Sequence, residues 1–166
     1  MNSEKRHIFS VLVENRFGVL ARVAGLFSGR GFNIDSLNVA ETHDRSISQI
    51  TLVTHGDAQI IEQIYHHLNR LIDVIEVTDL STAGTHVERE LVLIKIATDD
   101  PRKRTEVLQV AEVFRGRVID MKPTSLVLEI TGDEGKLKAA IDIFNTYGIL
   151  ELARTGKIAM LRGSEK

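Results

Sequence analysis

Apolar positions along this chain switch between two spacings, and the switching pattern occurs twice. Residues 8–13 form a short, almost wholly apolar run, as in a buried strand. Val19, Leu20, Val23, Leu26 and Phe27 then recur at helical intervals, so the next segment is a helix with one apolar face. Residues 33–42 and 46–54 read as two strands joined by the polar turn His43-Asp44-Arg45. Asp57 is suited to cap a second helix whose inner face is Ile60, Ile61, Ile64, Leu68 and Leu71. Residues 74–77 supply a fourth short strand.

Ser81-Thr82-Ala83-Gly84-Thr85 is small and polar, and residues 81–87 read as a linker between domains at 1–80 and 88–166. The second half repeats the order of the first. Residues 91–97 form a strand, and Pro101 opens a helix that turns Val107, Val110, Ala111 and Phe114 inward and stops at Gly116. Strands follow at 118–121 and 125–131, around Pro123. A last helix begins near Asp133, buries Leu137, Ala140, Ile141 and Phe144, and ends at Gly148. Residues 149–152 and 157–161 are extended, interrupted at Thr155-Gly156 by a bulge or a turn. The expected class is α+β: two βαββαβ domains of the ferredoxin-like kind, each an antiparallel sheet with both helices on one face. Units of about 80 residues have small cores, and an uncovered sheet face and free edges favour association, so an obligate oligomer is expected.

Composition narrows the function classes. The chain has 166 residues, 43% of them hydrophobic, which suits a packed core and argues against disorder. A net charge of −2 disfavours a protein built to neutralise nucleic-acid phosphates. There is no cysteine, hence no disulfide and no thiolate site. No apolar run approaches the ~20 residues of a membrane-spanning helix, and Met1-Asn2-Ser3-Glu4-Lys5-Arg6 lacks the apolar core of a signal peptide. A cytoplasmic protein with no membrane and no nucleic-acid partner is expected.

The most informative stretch is Glu14-Asn15-Arg16-Phe17-Gly18-Val19-Leu20, where a strand hands over to a helix. Gly18 carries no side chain there, so the amides of Gly18, Val19 and Leu20 can receive a carboxylate or phosphate. This is the chemistry of a small-anion receptor, and neither a catalytic residue nor a metal ligand is expected. The six histidines form no i, i+4 ligand pair. Gly25, Gly29 and Gly31 fall at the end of a helix, where a dinucleotide fingerprint does not belong; Gly25 is expected to permit close packing. An acylphosphatase-like hydrolase needs an Arg and an Asn on its phosphate, for which Arg16, Arg22 and Asn33 are the candidates. Asn15 and Asn33 sit at opposite ends of such a unit, so they need not meet within one chain and could meet across a subunit interface; the simpler role for each is to turn the chain.

Taken together, Ser10-Val11-Leu12-Val13-Glu14-Asn15, Gly18-Val19-Leu20-Ala21-Arg22-Val23, Gly25-Leu26-Phe27 and Arg30-Gly31-Phe32-Asn33-Ile34-Asp35-Ser36-Leu37 resemble the N-terminal ACT domain of the small, regulatory subunits of acetolactate synthase (acetohydroxyacid synthase). Val87-Glu88-Arg89-Glu90-Leu91, Ile94-Lys95 and Phe114-Arg115-Gly116-Arg117-Val118-Ile119-Asp120 resemble that family's ACT-like C-terminal half. The resemblance implies a non-catalytic homodimer that binds a large, catalytic subunit, activates it, and confers feedback inhibition by valine or another branched-chain amino acid. It implies no cofactor in this chain; thiamin diphosphate, magnesium and FAD are expected on the catalytic partner. The positions that match the family's effector site, at the interface of two ACT domains, are Asn15, Gly18, Val19, Leu20, Asn33, Ile34 and Ala40. The other readings are a free-standing amino-acid sensor without an enzyme partner and the small hydrolase.

Overall fold

A computed structural model describes residues 4–163; the outer limits of the two expected domains, at 1–3 and 164–166, lie outside the described residues. The first unit runs β1 (Lys5–Glu14), α1 (Val19–Arg30), β2 (Ser36–Glu41), β3 (Ile47–Gly56), α2 (Ala58–Asn69) and β4 (Val74–Asp79), followed by a helical turn, α3 (Leu80–Ala83). Its antiparallel sheet has the order β2-β3-β1-β4. Alternation along the central strands sends Phe9, Val11 and Val13 of β1 and Ile50 and Leu52 of β3 to one face. Val19, Val23 and Phe27 of α1 and Ile61, Ile64 and Leu68 of α2 close over them, so both helices cover the same face. β2 and β4 are the edges.

The second unit runs β5 (His86–Ala97), α4 (Pro101–Val113), β6 (Arg117–Lys122), β7 (Ser125–Gly132), α5 (Glu134–Asn145) and β8 (Ile149–Arg154), before the final strand β9 (Ile158–Leu161). The sheet order β6-β7-β5-β8 reproduces the first unit strand for strand. Val92, Ile94 and Ile96 with Leu126, Leu128 and Ile130 face Val107 and Ala111 of α4 and Leu137, Ala140 and Phe144 of α5. Glu90, almost wholly buried, accepts two hydrogen bonds from Arg154 at 2.9 and 2.7 Å. That bidentate contact raises the Arg154 guanidinium above its ordinary value.

Three of the long helices begin as aspartate caps dictate. Asp57 accepts from the Ile60 amide, Asp100 from Arg102 and Asp133 from Lys136, each at 2.9 Å. α1 begins instead at Gly18 and has no side-chain cap.

Several details differ from the sequence expectation. The second strand starts at Ser36, three residues late, because Asn33 and Asp35 spend their polar groups on the turn before it. Gly25 faces open space, so it packs against nothing; the apolar stripe of α1 lies on other positions. The expected linker is largely structured: Asp79 caps α3, and Leu80 is buried. The domain boundary also moves. Residues up to Val87 together with those from Lys157 form one compact unit, and Glu88–Gly156 the other. The cause is apolar: Ile8 and Val53 point away from the helices, and Leu80 and Ala159 are buried against them, with Leu161 packed alongside. β9 thus covers part of the sheet face that the sequence alone leaves bare. Gly156, with φ +80°, marks the break between β8 and β9.

α4 ends in a Schellman turn: the Gly116 amide donates to Ala111 C=O at 2.7 Å and the Arg115 amide to Glu112 C=O at 2.9 Å. The left-handed position falls on Arg115 (φ +52°), where glycine is favoured. Gly116 is needed for a different reason, since a Cβ there would stand 3.1 Å from the Ile130 side chain and 3.3 Å from Ala111 C=O.

Two outcomes follow from this packing. Ala159→Asp places a charge among Ile8, Val53 and Leu80 and should cost about 2 kcal/mol or more. Hydrogen exchange should then quicken in β1 and β3 and stay unchanged in β6 and β7; the reverse pattern would mean that β9 stabilises the second unit. Arg115→Gly relieves the left-handed strain and should raise stability by about 0.5–1 kcal/mol in urea titration. A loss of stability would show that the Arg115 side chain contributes more than its backbone costs.

Candidate functional site

β1 delivers the chain to one end of the first sheet, and two other loops meet it there. The Glu14 amide donates to Asp73 C=O at 2.9 Å, and the Asn15 amide donates to Ser46 C=O at 2.7 Å. The β1–α1 turn is therefore held between the α2–β4 loop and the β2–β3 turn. Gly18 occupies the left-handed region (φ +83°), which lets the chain reverse into α1 without a Cβ clash. Lacking a side-chain acceptor at Gly18, the amides of Leu20 and Ala21 at the second and third helical positions go uncapped.

The expected trio of outward amides, Gly18, Val19 and Leu20, is only partly what the fold provides. The Val19 amide turns back to Arg16 C=O at 3.4 Å, and its side chain, 4% exposed, belongs to the core. Val19 anchors the turn and leaves Leu20, 43% exposed, beside its mouth. Phe17 is fully exposed at the tip of the turn, and Ile72 almost fully so on the neighbouring α2–β4 loop.

Arg22, which the sequence offered only as a phosphate ligand of the hydrolase reading and which is not among the matched effector positions, also stands at this turn. Side chains of a helix lean toward its N-terminus, so the residue four positions after Gly18 returns over the first turn. Arg22 Nη1 accordingly lies 3.2 Å from where a Cβ on Gly18 would stand. Its Nε donates to Asp73 Oδ2 at 2.7 Å, and the Asp73 side chain is only 9% exposed. The Gly18–Arg22 spacing was the available signal; the Asp73 contact spans 51 positions and left none.

Asn15 is tied to the same end of the sheet. Its Nδ2 donates to Glu41 Oε1 at 3.1 Å and to Arg45 C=O at 2.9 Å. Ala40, exposed on edge strand β2, immediately precedes Glu41 and pairs with Gln49 of β3. Asn15, Gly18, Val19, Leu20 and Ala40 thus gather at one end.

Asn33 and Ile34 do not join them. Asn33 C=O accepts from Thr54 Oγ1 at 2.6 Å, and its Nδ2 donates to Asp35 Oδ1 at 2.7 Å. Ile34 packs partly on the core. Both precede β2, whereas Ala40 lies near its far end, and a strand advances roughly 3.3 Å per residue, so the two groups are on the order of 20 Å apart. No single small ligand touches both within one chain. For the same reason the Arg–Asn pair of an acylphosphatase is not assembled: Arg22 stands at the turn and Asn33 at the opposite end. Among the described residues no group of three or more His, Cys, Asp or Glu side chains is placed to hold a metal ion. No helix among them is long and apolar enough to cross a membrane.

Comparison with known proteins places both halves. Residues 9–76 match the AHAS small subunit-like ACT domain, and residues 89–163 match the small subunit of acetolactate synthase. The acetolactate synthase small subunit of Aquifex aeolicus is 50% identical over 158 residues, covering 95% of this chain and 82% of that one. The small subunit of acetolactate synthase isozyme 3 from Escherichia coli is 44% identical over 161 residues, covering 96% and 98% respectively. The crystal structure of the Thermotoga maritima small subunit superposes with a TM-score of 0.88 at 37% identity, covering 97% of this chain and 99% of that one. With matches across both halves and a shared fold throughout, the chain belongs to the family of acetolactate synthase small subunits, and its first unit is an ACT domain.

Proposed function

We infer that this chain is the non-catalytic regulatory subunit of a cytoplasmic acetolactate synthase in branched-chain amino-acid biosynthesis. It binds and activates a large subunit that carries thiamin diphosphate, magnesium and FAD, and it makes that subunit sensitive to feedback inhibition by valine or a related amino acid. The observation that carries the reading is the separation of the matched effector positions into two groups at opposite ends of an edge strand. A two-fold axis that pairs β2 with its own copy runs the two strands antiparallel. Asn33 and Ile34 of one protomer then lie beside Ala40, Asn15 and the Gly18 turn of the other. Each dimer gains two equivalent clefts, and neither exists in a lone chain. β2 is suited to this because it is short, lies at the edge, and exposes Val39 and Ala40.

The chemistry of a free amino acid fits such a cleft. Its carboxylate meets the N-terminus of α1, where the helix dipole contributes about 0.3–2 kcal/mol. Each hydrogen bond from a backbone amide to the charged group adds about 1.5–3 kcal/mol before ordering costs. Its side chain is received by Leu20, Ile34 and Ala40. These terms are ample for control at micromolar to millimolar concentration without covalent chemistry. Coupling to the catalytic subunit requires only that bound effector favour one arrangement of the pair, by about 1–3 kcal/mol. Co-purification with a thiamin-dependent large subunit separates this reading from a free-standing sensor.

Gly18→Asp puts a carboxylate and added bulk into the anion position. The reconstituted enzyme should keep its activation by the small subunit and lose inhibition by valine; an unchanged inhibition curve would place the effector elsewhere. Asn33→Ala should weaken valine binding in calorimetry about ten-fold and leave the sedimentation coefficient of the dimer unchanged. Dissociation on substitution would assign Asn33 a structural role instead.

A further inference from the structure

We propose that Arg22 is a ligand-contacting residue of this site, its guanidinium held by Asp73 so that its free end binds the carboxylate of the effector. The inference rests on the effector cleft argued above and adds to it a charged group at the Gly18 turn.

Three observations converge on Arg22. Among the described residues only its Nε is engaged, in the 2.7 Å bond to Asp73 Oδ2, and Nη1 and Nη2 meet no acceptor. Nη1 stands over Gly18, 3.2 Å from where a Cβ would lie, at the turn whose next amides lack a side-chain cap. The anchor itself is fixed: Asp73 is buried, and its backbone carbonyl accepts the Glu14 amide where β1 ends. A half-exposed arginine with no anchor samples many rotamers and loses entropy when it captures an anion. Arg22 is partly relieved of that loss, because Asp73 restrains the side chain before any ligand arrives. Asp73 also neutralises only part of the cation's hydrogen-bonding capacity, since a guanidinium has five N–H donors in a planar fork and one is used here.

The arrangement gives the glycine a second reason to be glycine. Its φ of +83° already disfavours a side chain, and the space a Cβ needs is bordered by the Arg22 guanidinium. An aspartate introduced at position 18 would set its own carboxylate against Arg22 and occupy the position of the ligand's.

The test pairs two ligands with two variants of the full chain in titration calorimetry. Valine carries the carboxylate; valinamide keeps the ammonium and side chain and lacks that charge. With Arg22→Gln, valine affinity should fall at least about ten-fold, the range of a lost charge-assisted hydrogen bond. The weaker binding of valinamide, measured at high ligand concentration, should be the same in wild type and Arg22→Gln. Arg22→Lys, which keeps the charge and loses the fork, should recover part of the valine affinity. Equal losses for valine and valinamide would make Arg22 a merely structural residue and overturn the inference. Unchanged valine binding in Arg22→Gln would overturn it too. Failure of the wild-type chain to bind valine or any other branched-chain amino acid would instead refute the effector reading on which the inference rests, and the two failures are thereby distinguished. Circular dichroism of each variant excludes loss of fold as the cause.

Discussion

The β1–α1 turn is governed by the requirement that a helix satisfy or expose the amides of its first turn. Elsewhere in this protein an aspartate meets that requirement: Asp57, Asp100 and Asp133 each accept from an amide two or three residues on. At the start of α1 the position is taken by Gly18, which has nothing to offer and adopts a left-handed conformation that brings the chain round sharply. The amides are thus left for an external acceptor, and Arg22 adds positive charge from one turn further along. A glycine in place of the aspartate cap costs only about a few tenths of a kcal/mol of helix stability.

Everything around the turn serves to hold it still. Val19 is sunk in the core, the Glu14 and Asn15 amides are bonded to two flanking loops, and the Asn15 side chain spans to Glu41 and Arg45. A receptor for so small a ligand depends on such preorganisation, because each ordered side chain subtracts from the binding energy available. In the dimer proposed above, half of the cleft comes from the second chain. The strand that separates Asn33 from Ala40 is also an unpaired edge, so the feature that splits the matched residues is the one through which a second copy can reunite them.

The repeated βαββαβ unit shows how one pattern can serve two ends. Both units place valine, isoleucine and leucine from two central strands under two helices. Only the first opens its leading helix with an uncapped glycine; the second opens its own with Asp100 and Pro101. The first turn of α4 thus has the side-chain cap that the first turn of α1 lacks.

Local chemistry fixed much of this protein in advance. Strand alternation, helical spacing and the aspartate caps are interactions between near neighbours, so the order of the strands and of the four long helices, the inward faces of those helices and the Gly18 turn were legible in the sequence, while the short α3 was not. The tertiary structure decided what depends on residues far apart. It gave β9 to the first unit, because Ala159 and Leu161 complete a small apolar cluster with Ile8, Val53 and Leu80. It left Gly25 facing solvent, where spacing alone had suggested a packing role. It set Arg22 against Asp73, 51 positions away, and so brought a cation to the glycine turn. Periodicity reports which face of an element is buried; which element comes to cover that face, and which charge comes to meet which, is settled only when the chain has closed on itself.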